Sequence, residues 1–295
     1  MPGILDSNNH LFALAQRGQR FPSLITAIAI VPIMLAIMIA TQVWMRVVFR
    51  SLLGDGAAAD FAAELIGFLS IFGGLWLLLR FWSKRPFQSL GFERAQSGRR
   101  VARGALVAAM MMLATAALVM IPGAMVGPGE LQKHGLTALG VGLLGFLATS
   151  VQSSAEEALF RGWLLPALGV RFGAWRGVAV SSLVFAMAHV TTRPTPLGWA
   201  NLFLFGMTTA LIALAEGGLW SASAWHAVWN WIQGGLLGFS VDRSVSSGLV
   251  ASIQTTGPDF MTGGSFGPDG GVVATAILLV GIATLLTRRA SHPGS

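Results

Sequence analysis

Two adjacent carboxylates lie in an otherwise apolar stretch of this chain. Glu156 and Glu157 begin a run that ends at Arg161, four positions after Glu157. Neighbouring, poorly solvated carboxylates repel each other, which favours one ionised group that accepts a proton from water beside one that donates. One helical turn separates Glu157 from Arg161, so the two are expected to pair. A purely structural ion pair is the competing interpretation, but it requires only one glutamate.

A second polar group follows in the next apolar stretch. Ser182, Phe185 and His189 are spaced three and four positions apart and therefore share one face of a helix. A neutral imidazole accepts a proton or binds a metal, so His189 is a candidate base or ligand. Taken alone, such a histidine is more often a hydrogen-bonded histidine inside a helix bundle.

A third group forms a polar stripe on a tryptophan-rich helix. Ser223, His226, Asn230 and Gln233 are spaced three, four and three positions apart. Histidine and asparagine are suitable hydrogen-bond donors for an oxyanion. Hydrogen bonding between membrane helices is the alternative for such a stripe.

The three groups are expected at similar depths in a membrane. Counted from the expected inner face, Glu157, His189 and His226 are about 12, 14 and 9 residues in, which is roughly 18, 21 and 14 Å. Ionisable groups at such depth are costly and are functional candidates. We therefore expect one shared polar cavity that opens to the cytoplasm.

Taken in order, these clusters resemble the CAAX prenyl endopeptidase and Abi family, also called CPBP intramembrane proteases. The family pattern is Glu-Glu-x-x-x-Arg, then Phe-x-x-x-His, then His-x-x-x-Asn or Asp. This chain has the first at residues 156–161, the second from Phe185 to His189, and the third from His226 to Asn230. The resemblance covers about residues 140–235. It implies an eight-helix bundle whose membrane-embedded cavity hydrolyses a peptide bond.

The resemblance also implies a role for each matching residue. Glu156 and His189 would activate the attacking water. Glu157 would assist by sharing charge and ordering the arginine of its motif. His226 and Asn230 would stabilise the tetrahedral oxyanion. The resemblance thus favours a catalytic rather than a structural interpretation of all five side chains.

Arg161 and Phe185 are expected to support the site, and no cofactor is required. If a metal were present, Zn²⁺ ligated by Glu156, His189 and His226 would be the alternative, because zinc takes nitrogen and oxygen ligands. The spacing is not that of His-Glu-x-x-His metalloproteases, and adjacent glutamates point about 100° apart on a helix. A serine nucleophile is disfavoured because the Gly-x-Ser-x-Gly motif is missing.

These side chains are carried by a chain with the composition of a membrane protein. It is 54% hydrophobic and 11% charged, against about 25% charged in soluble domains. Apolar stretches near 20 residues recur, the length that crosses the hydrocarbon. The predicted spans are 23–45, 61–82, 104–126, 137–168, 175–191, 197–215, 217–238 and 271–287. The fold class is therefore an all-α, polytopic bundle of about eight transmembrane helices with an intramembrane polar cavity.

The chain is expected to form one transmembrane domain over residues 1–295. Its catalytic core is predicted at 137–238. The polar, glycine-rich stretch 239–270 is predicted to be an exposed loop. Without cysteine the chain has neither disulfides nor a thiol nucleophile.

Basic residues set the expected orientation. The chain has 19 lysines and arginines, and the predicted spans divide them 14 to 5 between the two sides. The richer side should be cytoplasmic, with both termini there, in what we expect to be a bacterial inner membrane. The formal net charge of +7 lies in connectors rather than on one dense face, so nucleic acid is not expected as a partner.

The expected partners are a peptide or membrane-protein substrate and membrane lipids; the oligomeric state is left open. The leading functional hypothesis is an intramembrane endopeptidase that uses a Glu- and His-activated water. The alternatives are a non-proteolytic protein of the same fold, either a bacteriocin immunity factor or a transporter, and a structural scaffold. Transporters often contain inverted repeats, and the sequence shows none.

Overall fold

The computed structural model describes residues 4–6, 8–240 and 248–287. These residues form a helix bundle with one small antiparallel sheet. The elements in chain order are α1 His10–Ala15, α2 Leu24–Leu53, α3 Ala57–Leu77, α4 Ser97–Met120, β1 Ala124–Pro128, α5 Glu130–His134, α6 Thr137–Glu157, α7 Leu165–Phe172, α8 Ala174–Ala188, α9 Pro196–Glu216, α10 Trp220–Asn230, β2 Ala251–Thr255, α11 Asp259–Thr262 and α12 Val272–Leu286. Turns of π-helix extend α3 over Leu78–Ser83, connect α6 to α7 over Ala158–Leu164, and extend α10 over Trp231–Leu236.

Local chemistry fixes several helix ends. The Ser23 hydroxyl accepts a hydrogen bond from the backbone N–H of Thr26 at 3.1 Å, which caps α2. Thr195 caps α9 in the same way, and Pro196 follows at the first helical position, where its missing N–H costs nothing. Helix α9 ends at Gly217, whose φ of 61° is left-handed.

All eight predicted spans correspond to helices, but they are not equally long or apolar. Five helical segments are long and apolar enough to cross a membrane: Leu24–Leu53, Ala57–Ser83, Ser97–Met120, Thr137–Phe172 and Pro196–Glu216. Helices α8 and α12 are apolar but shorter. The membrane-bundle class is therefore confirmed, whereas the expected number of about eight exceeds the five spans that meet these criteria.

Helix α9 is the central helix of the bundle. Of its most apolar 18-residue window, 72% is buried, against 22–33% in the other four candidate spans. It contacts α8, α10 and α12. Two of the three helices that present the polar clusters, α8 and α10, therefore pack against this buried helix, as does the π-helical segment that follows α6.

The prediction of an exposed loop over 239–270 was wrong in part. Strand β2 lies within this stretch and pairs with β1, from Ala124 opposite Thr255 to Pro128 opposite Ala251. Phe239 and Phe266 are buried as well. Pairing between strands more than 120 residues apart leaves no local signal in the sequence, which explains the error. Residues 241–247 lie outside the described part of the chain.

One end of the bundle is closed by polar contacts between distant segments. His10 Nε2 lies 2.8 Å from the Glu93 carboxylate, and the Trp220 indole donates to the Glu93 carbonyl at 2.7 Å. Arg103 forms an ion pair of 2.6 Å with Glu216. The N-terminal helix, the segment before α4 and the α9–α10 turn therefore meet at this end.

Candidate active site

The two adjacent carboxylates lie where α6 changes its winding. Glu156 and Glu157 are the last residues of α6, and the π-helical segment Ala158–Leu164 begins immediately after them. Single π-turns inside helices occur frequently at functional sites. Both side chains are buried, with relative exposures of 6% and 0%.

Glu157 is the centre of a buried polar network. Its Oε1 lies 3.3 Å from Arg161 Nη1 and 2.9 Å from His226 Nδ1. The predicted pairing of Glu157 with Arg161 is therefore confirmed. Arg161 also donates to the Gly206 carbonyl at 3.0 Å, and its guanidinium lies 4.4 Å from the centroid of the Phe185 ring. These contacts hold a cation in an otherwise apolar interior.

Glu156 faces the opposite nitrogen of the same imidazole. Its Oε2 lies 3.9 Å from His226 Nε2 and has no hydrogen-bond partner among the described residues. Its Oε1 accepts a hydrogen bond from Gln152 at 3.3 Å. A water about 2.8 Å from both atoms would bridge them at an angle of about 90°, so the gap suits one bound water.

The hydrogen bonds of the two histidines fix which nitrogen carries the proton. His189, which ends α8, contacts the carbonyl oxygen of Phe185 through Nδ1 at 3.0 Å. A carbonyl only accepts, so Nδ1 is the donor and neutral His189 presents Nε2 as the basic atom. In the contact of His226 Nδ1 with the Glu157 carboxylate, Nδ1 is the donor whether the ring carries one proton or two.

A cavity of about 1180 Å³ connects these groups to one end of the bundle. His189, His226 and Asn230 line it, as does Gln152, while Glu156 and Glu157 lie buried behind this wall. Phe185 lines the cavity too, and the three polar motif side chains in the wall are the ones expected to contact a substrate.

The cavity opens at the end opposite the one closed by polar contacts. Its outer lining comes from two segments. Residues 53–61 run from the end of α2 to the first turn of α3, and residues 130–142 include α5 and the start of α6. These segments lie on the side that has few basic residues. Two expectations therefore conflict in this structure. The cavity mouth and the end rich in basic residues were both expected to face the cytoplasm, but they lie at opposite ends of the bundle. The depths of roughly 18–21 Å already place Glu157 and His189 beyond the middle of a hydrocarbon core of about 30 Å.

Other polar side chains of the three motifs have different roles. Gln233 donates to the carbonyl of Ser240 at 3.0 Å, outside the catalytic network. The buried hydroxyls of Ser153, Ser182 and Ser223 have no hydrogen-bond partner among the described residues. Ser182 instead provides a close contact between helices, because a Cβ at Gly206 would meet its side chain at 2.9 Å.

Sequence reasoning missed three residues of the site. Phe205 of α9 packs against the His226 ring at a centroid distance of 4.8 Å and stacks parallel to Phe185 at 5.9 Å. Gln152 contacts Glu156, and Glu64 of α3 lines the cavity. Glu64 had a detectable signal, since it is an ionisable residue inside a predicted span. Phe205 had none, because aromatic residues are ordinary in membrane helices.

The alternative zinc site does not assemble in this arrangement. Within the described ranges, no group of three or more His, Asp or Glu side chains is placed to hold a metal ion. In the alternative set of Glu156, His189 and His226, the Glu156 Oε2 and the His226 Nε2 are separated by 3.9 Å. Ligand oxygen and nitrogen atoms around zinc each lie about 2.0–2.2 Å from the metal.

Comparison with known proteins supports the same region. The family described as "Type II CAAX prenyl endopeptidase Rce1-like" matches residues 136–232. This segment contains all three motifs and confirms the predicted resemblance to the CPBP and CAAX protease family. A search of curated proteins found no matching relative.

Proposed function

We propose that this chain is an intramembrane endopeptidase that hydrolyses a peptide bond with a Glu- and His-activated water. The match of residues 136–232 to a CAAX protease family supports this proposal. The observation that carries the proposal is the arrangement around His226. One ring nitrogen contacts Glu157 at 2.9 Å and the other faces Glu156 at 3.9 Å. Two carboxylates with different partners allow different protonation states, which is what acid–base hydrolysis requires.

Glu156 accepts the proton of the attacking water in this proposal. Its Oε2 is without a hydrogen-bond partner among the described residues, so it is available to a bound water. His189 presents its basic Nε2 to the cavity and is the second acceptor. The hydroxide adds to the scissile carbonyl carbon, and the proton passes to the leaving amide nitrogen as the C–N bond breaks.

His226 and Asn230 stabilise the oxyanion that forms in this step. When His226 carries a proton on both ring nitrogens, Nδ1 donates to Glu157 and Nε2 donates to the oxyanion. Asn230 lines the cavity and its side chain has no hydrogen bond to any described residue, so its amide N–H is available as a second donor. Arg161 lies 3.3 Å from the Glu157 carboxylate and is a positioning residue. Metal is not required by this scheme.

The substrate is a peptide or a membrane-protein segment that reaches the cavity from its open end. Under the inside-positive rule, that end faces away from the cytoplasm of the membrane that holds the protein. Membrane lipids surround the bundle and contact its exposed apolar side chains.

Comparison of N-terminal peptides from membranes that carry wild-type protein or Glu156→Gln tests the proposal. Loss of a general base is expected to reduce cleavage by on the order of 10²- to 10⁴-fold. Removal of metal from purified protein with a chelator is expected to leave cleavage unchanged. An identical set of new N-termini in both membranes would contradict the proposed function.

Glu216→Gln is the matched control for this variant. Glu216 is also 6% exposed, but it pairs with Arg100 and Arg103 at the closed end of the bundle. Its substitution removes an equally buried charge without touching the site, so cleavage is expected to persist. Melting temperatures of both variants separate a loss of chemistry from a loss of folding.

A further inference from the structure

The charge of the cavity is opposite to that of the whole chain. The chain has a formal net charge of +7. Five carboxylates and one guanidinium are among the residues that line the cavity: Asp55, Asp60, Glu64, Glu130, Asp269 and Arg46. A cavity lined by one sign of charge concentrates ligands of the other sign.

Four of these carboxylates already have partners. Asp55 and Asp60 lie 3.6 and 3.1 Å from side-chain nitrogens of Arg50. Glu130 lies 3.1 Å from Lys133, and Asp269 accepts a hydrogen bond from the Trp229 indole at 3.0 Å. Their charges are therefore compensated within the protein.

Glu64 differs from the other four. No side-chain hydrogen bond or ion pair connects its carboxylate to any residue in the described part of the chain. The carboxylates of Glu156 and Asp60 and the guanidinium of Arg46 act on it electrostatically, and Arg46 is itself 3.2 Å from Asp60. A carboxylate without a partner beside two others is unfavourable as an anion unless it takes up a proton or a cation joins it.

We propose that Glu64 determines substrate specificity by binding a cationic side chain of the peptide, a lysine or an arginine close to the scissile bond. The proposal rests on the proposed peptidase function, because it places the peptide in the same cavity. Glu64 is on α3, which packs against α6 and carries none of the three motifs, so it lines the cavity from a different helix than they do. The Oε2 of Glu156, whose residue is 6% exposed, is a second acceptor without a hydrogen-bond partner among the described residues, and it lies 3.9 Å from Nε2 of His226, which lines this cavity.

Peptide binding to a variant that does not turn over tests this inference. The probes are apolar octapeptides with one lysine at each position in turn, and the same peptides with uncharged norleucine in its place. Purified Glu156→Gln protein is expected to bind the best lysine peptide about tenfold more tightly than its norleucine counterpart, or about 1.4 kcal/mol. In the double variant Glu64→Gln, Glu156→Gln this preference is expected to disappear.

Glu130→Gln in the same background is the matched control, because Glu130 lines the mouth but is already paired. It is expected to retain the lysine preference. Equal binding of lysine and norleucine peptides, or an equal loss in the Glu130 variant, would overturn the role of Glu64. Cleavage of the bound peptides by wild-type protein is measured separately. A Glu64-dependent preference without cleavage would refute the peptidase function alone, and cleavage without any preference would refute this inference alone.

Discussion

The two ends of the bundle differ in both packing and charge. At the closed end, Arg85 and Arg100 are each only 5% exposed, and Glu93 and Glu216 connect segments that are distant in sequence. At the open end, the turn between α2 and α3 is exposed and borders a cavity of about 1180 Å³. The closed end contains most of the basic residues of the described chain, whereas the charged residues that line the cavity are mostly acidic.

In this fold the cavity opens at the end that has fewer basic residues. The inside-positive rule predicts that the basic end is the one retained in the cytoplasm. That end is packed by the polar contacts of Glu93 and Glu216, whereas His189 and His226 line the cavity that opens at the other end. Depth alone is ambiguous, because a group near the middle of a membrane is accessible from either side.

Glycine-to-alanine substitutions are expected to change the free energy of unfolding very differently at the two ends. A Cβ at Gly104 would collide with the backbone carbonyl of Ser221 near the closed end, whereas a Cβ at Gly140 near the open end has nothing within 4 Å. Gly104→Ala is therefore expected to destabilise the protein by about 1–3 kcal/mol. Gly140→Ala is expected to be neutral or to stabilise it by up to about 1 kcal/mol, through helix propensity.

Thermal unfolding of the two purified variants in detergent measures this difference, and each serves as the control for the other. Equal shifts in melting temperature would show that the two ends are packed alike and would contradict this prediction.

The sequence alone predicts those features of the site that depend on helical spacing. Glu157 and Arg161 are four positions apart in one helix, and they pair as expected. His226 and Asn230 share a face for the same reason, and both line the cavity. The membrane class also follows from composition, because apolar stretches of this length have few other uses.

The remaining features depend on contacts between distant segments. The contact of Glu157 with His226 joins residues 69 positions apart, and no spacing rule predicts it. Likewise, strands β1 and β2 pair only because the loops that contain them meet at the open end. The direction of the cavity mouth depends on how α3 packs against α6, so it was not deducible from depth along single helices.

Chemical labelling tests which end of the bundle faces the cytoplasm. The chain has no cysteine, so single-cysteine variants need no altered background. Ala57 at the open end and Ala95 at the closed end are both exposed alanines and form a matched pair. In intact cells, a membrane-impermeant maleimide is expected to label Ala57→Cys readily and Ala95→Cys only after permeabilisation. Labelling with the reverse pattern would place the cavity mouth in the cytoplasm.

The contribution of Glu93 to the stability of the closed end is expected to be small and to depend on pH. Partial burial alone would raise the pKa of Glu93, but the hydrogen bond and charge of His10, together with Arg17, outweigh it and lower that pKa. A carboxyl whose pKa is lowered by folding contributes stability above its unfolded pKa and loses it as the pH falls through the folded value. Glu93→Gln is therefore expected to cost less than about 1 kcal/mol at neutral pH, as for other solvent-accessible ion pairs.

Melting temperatures of wild type and Glu93→Gln, measured from neutral pH downward, check this prediction. The gap between the two proteins is expected to narrow below the usual pKa range of a glutamate, because the wild-type carboxylate then becomes protonated. His10→Gln supplies the control, since it removes the same contact from the other side. The double variant is expected to be scarcely less stable than either single one, because neighbours in one network are not additive. If the difference in melting temperature between wild type and Glu93→Gln stays constant down to strongly acidic pH, the charge of Glu93 does not stabilise the closed end. The two ends would then differ in charge only through the acidic residues that line the cavity.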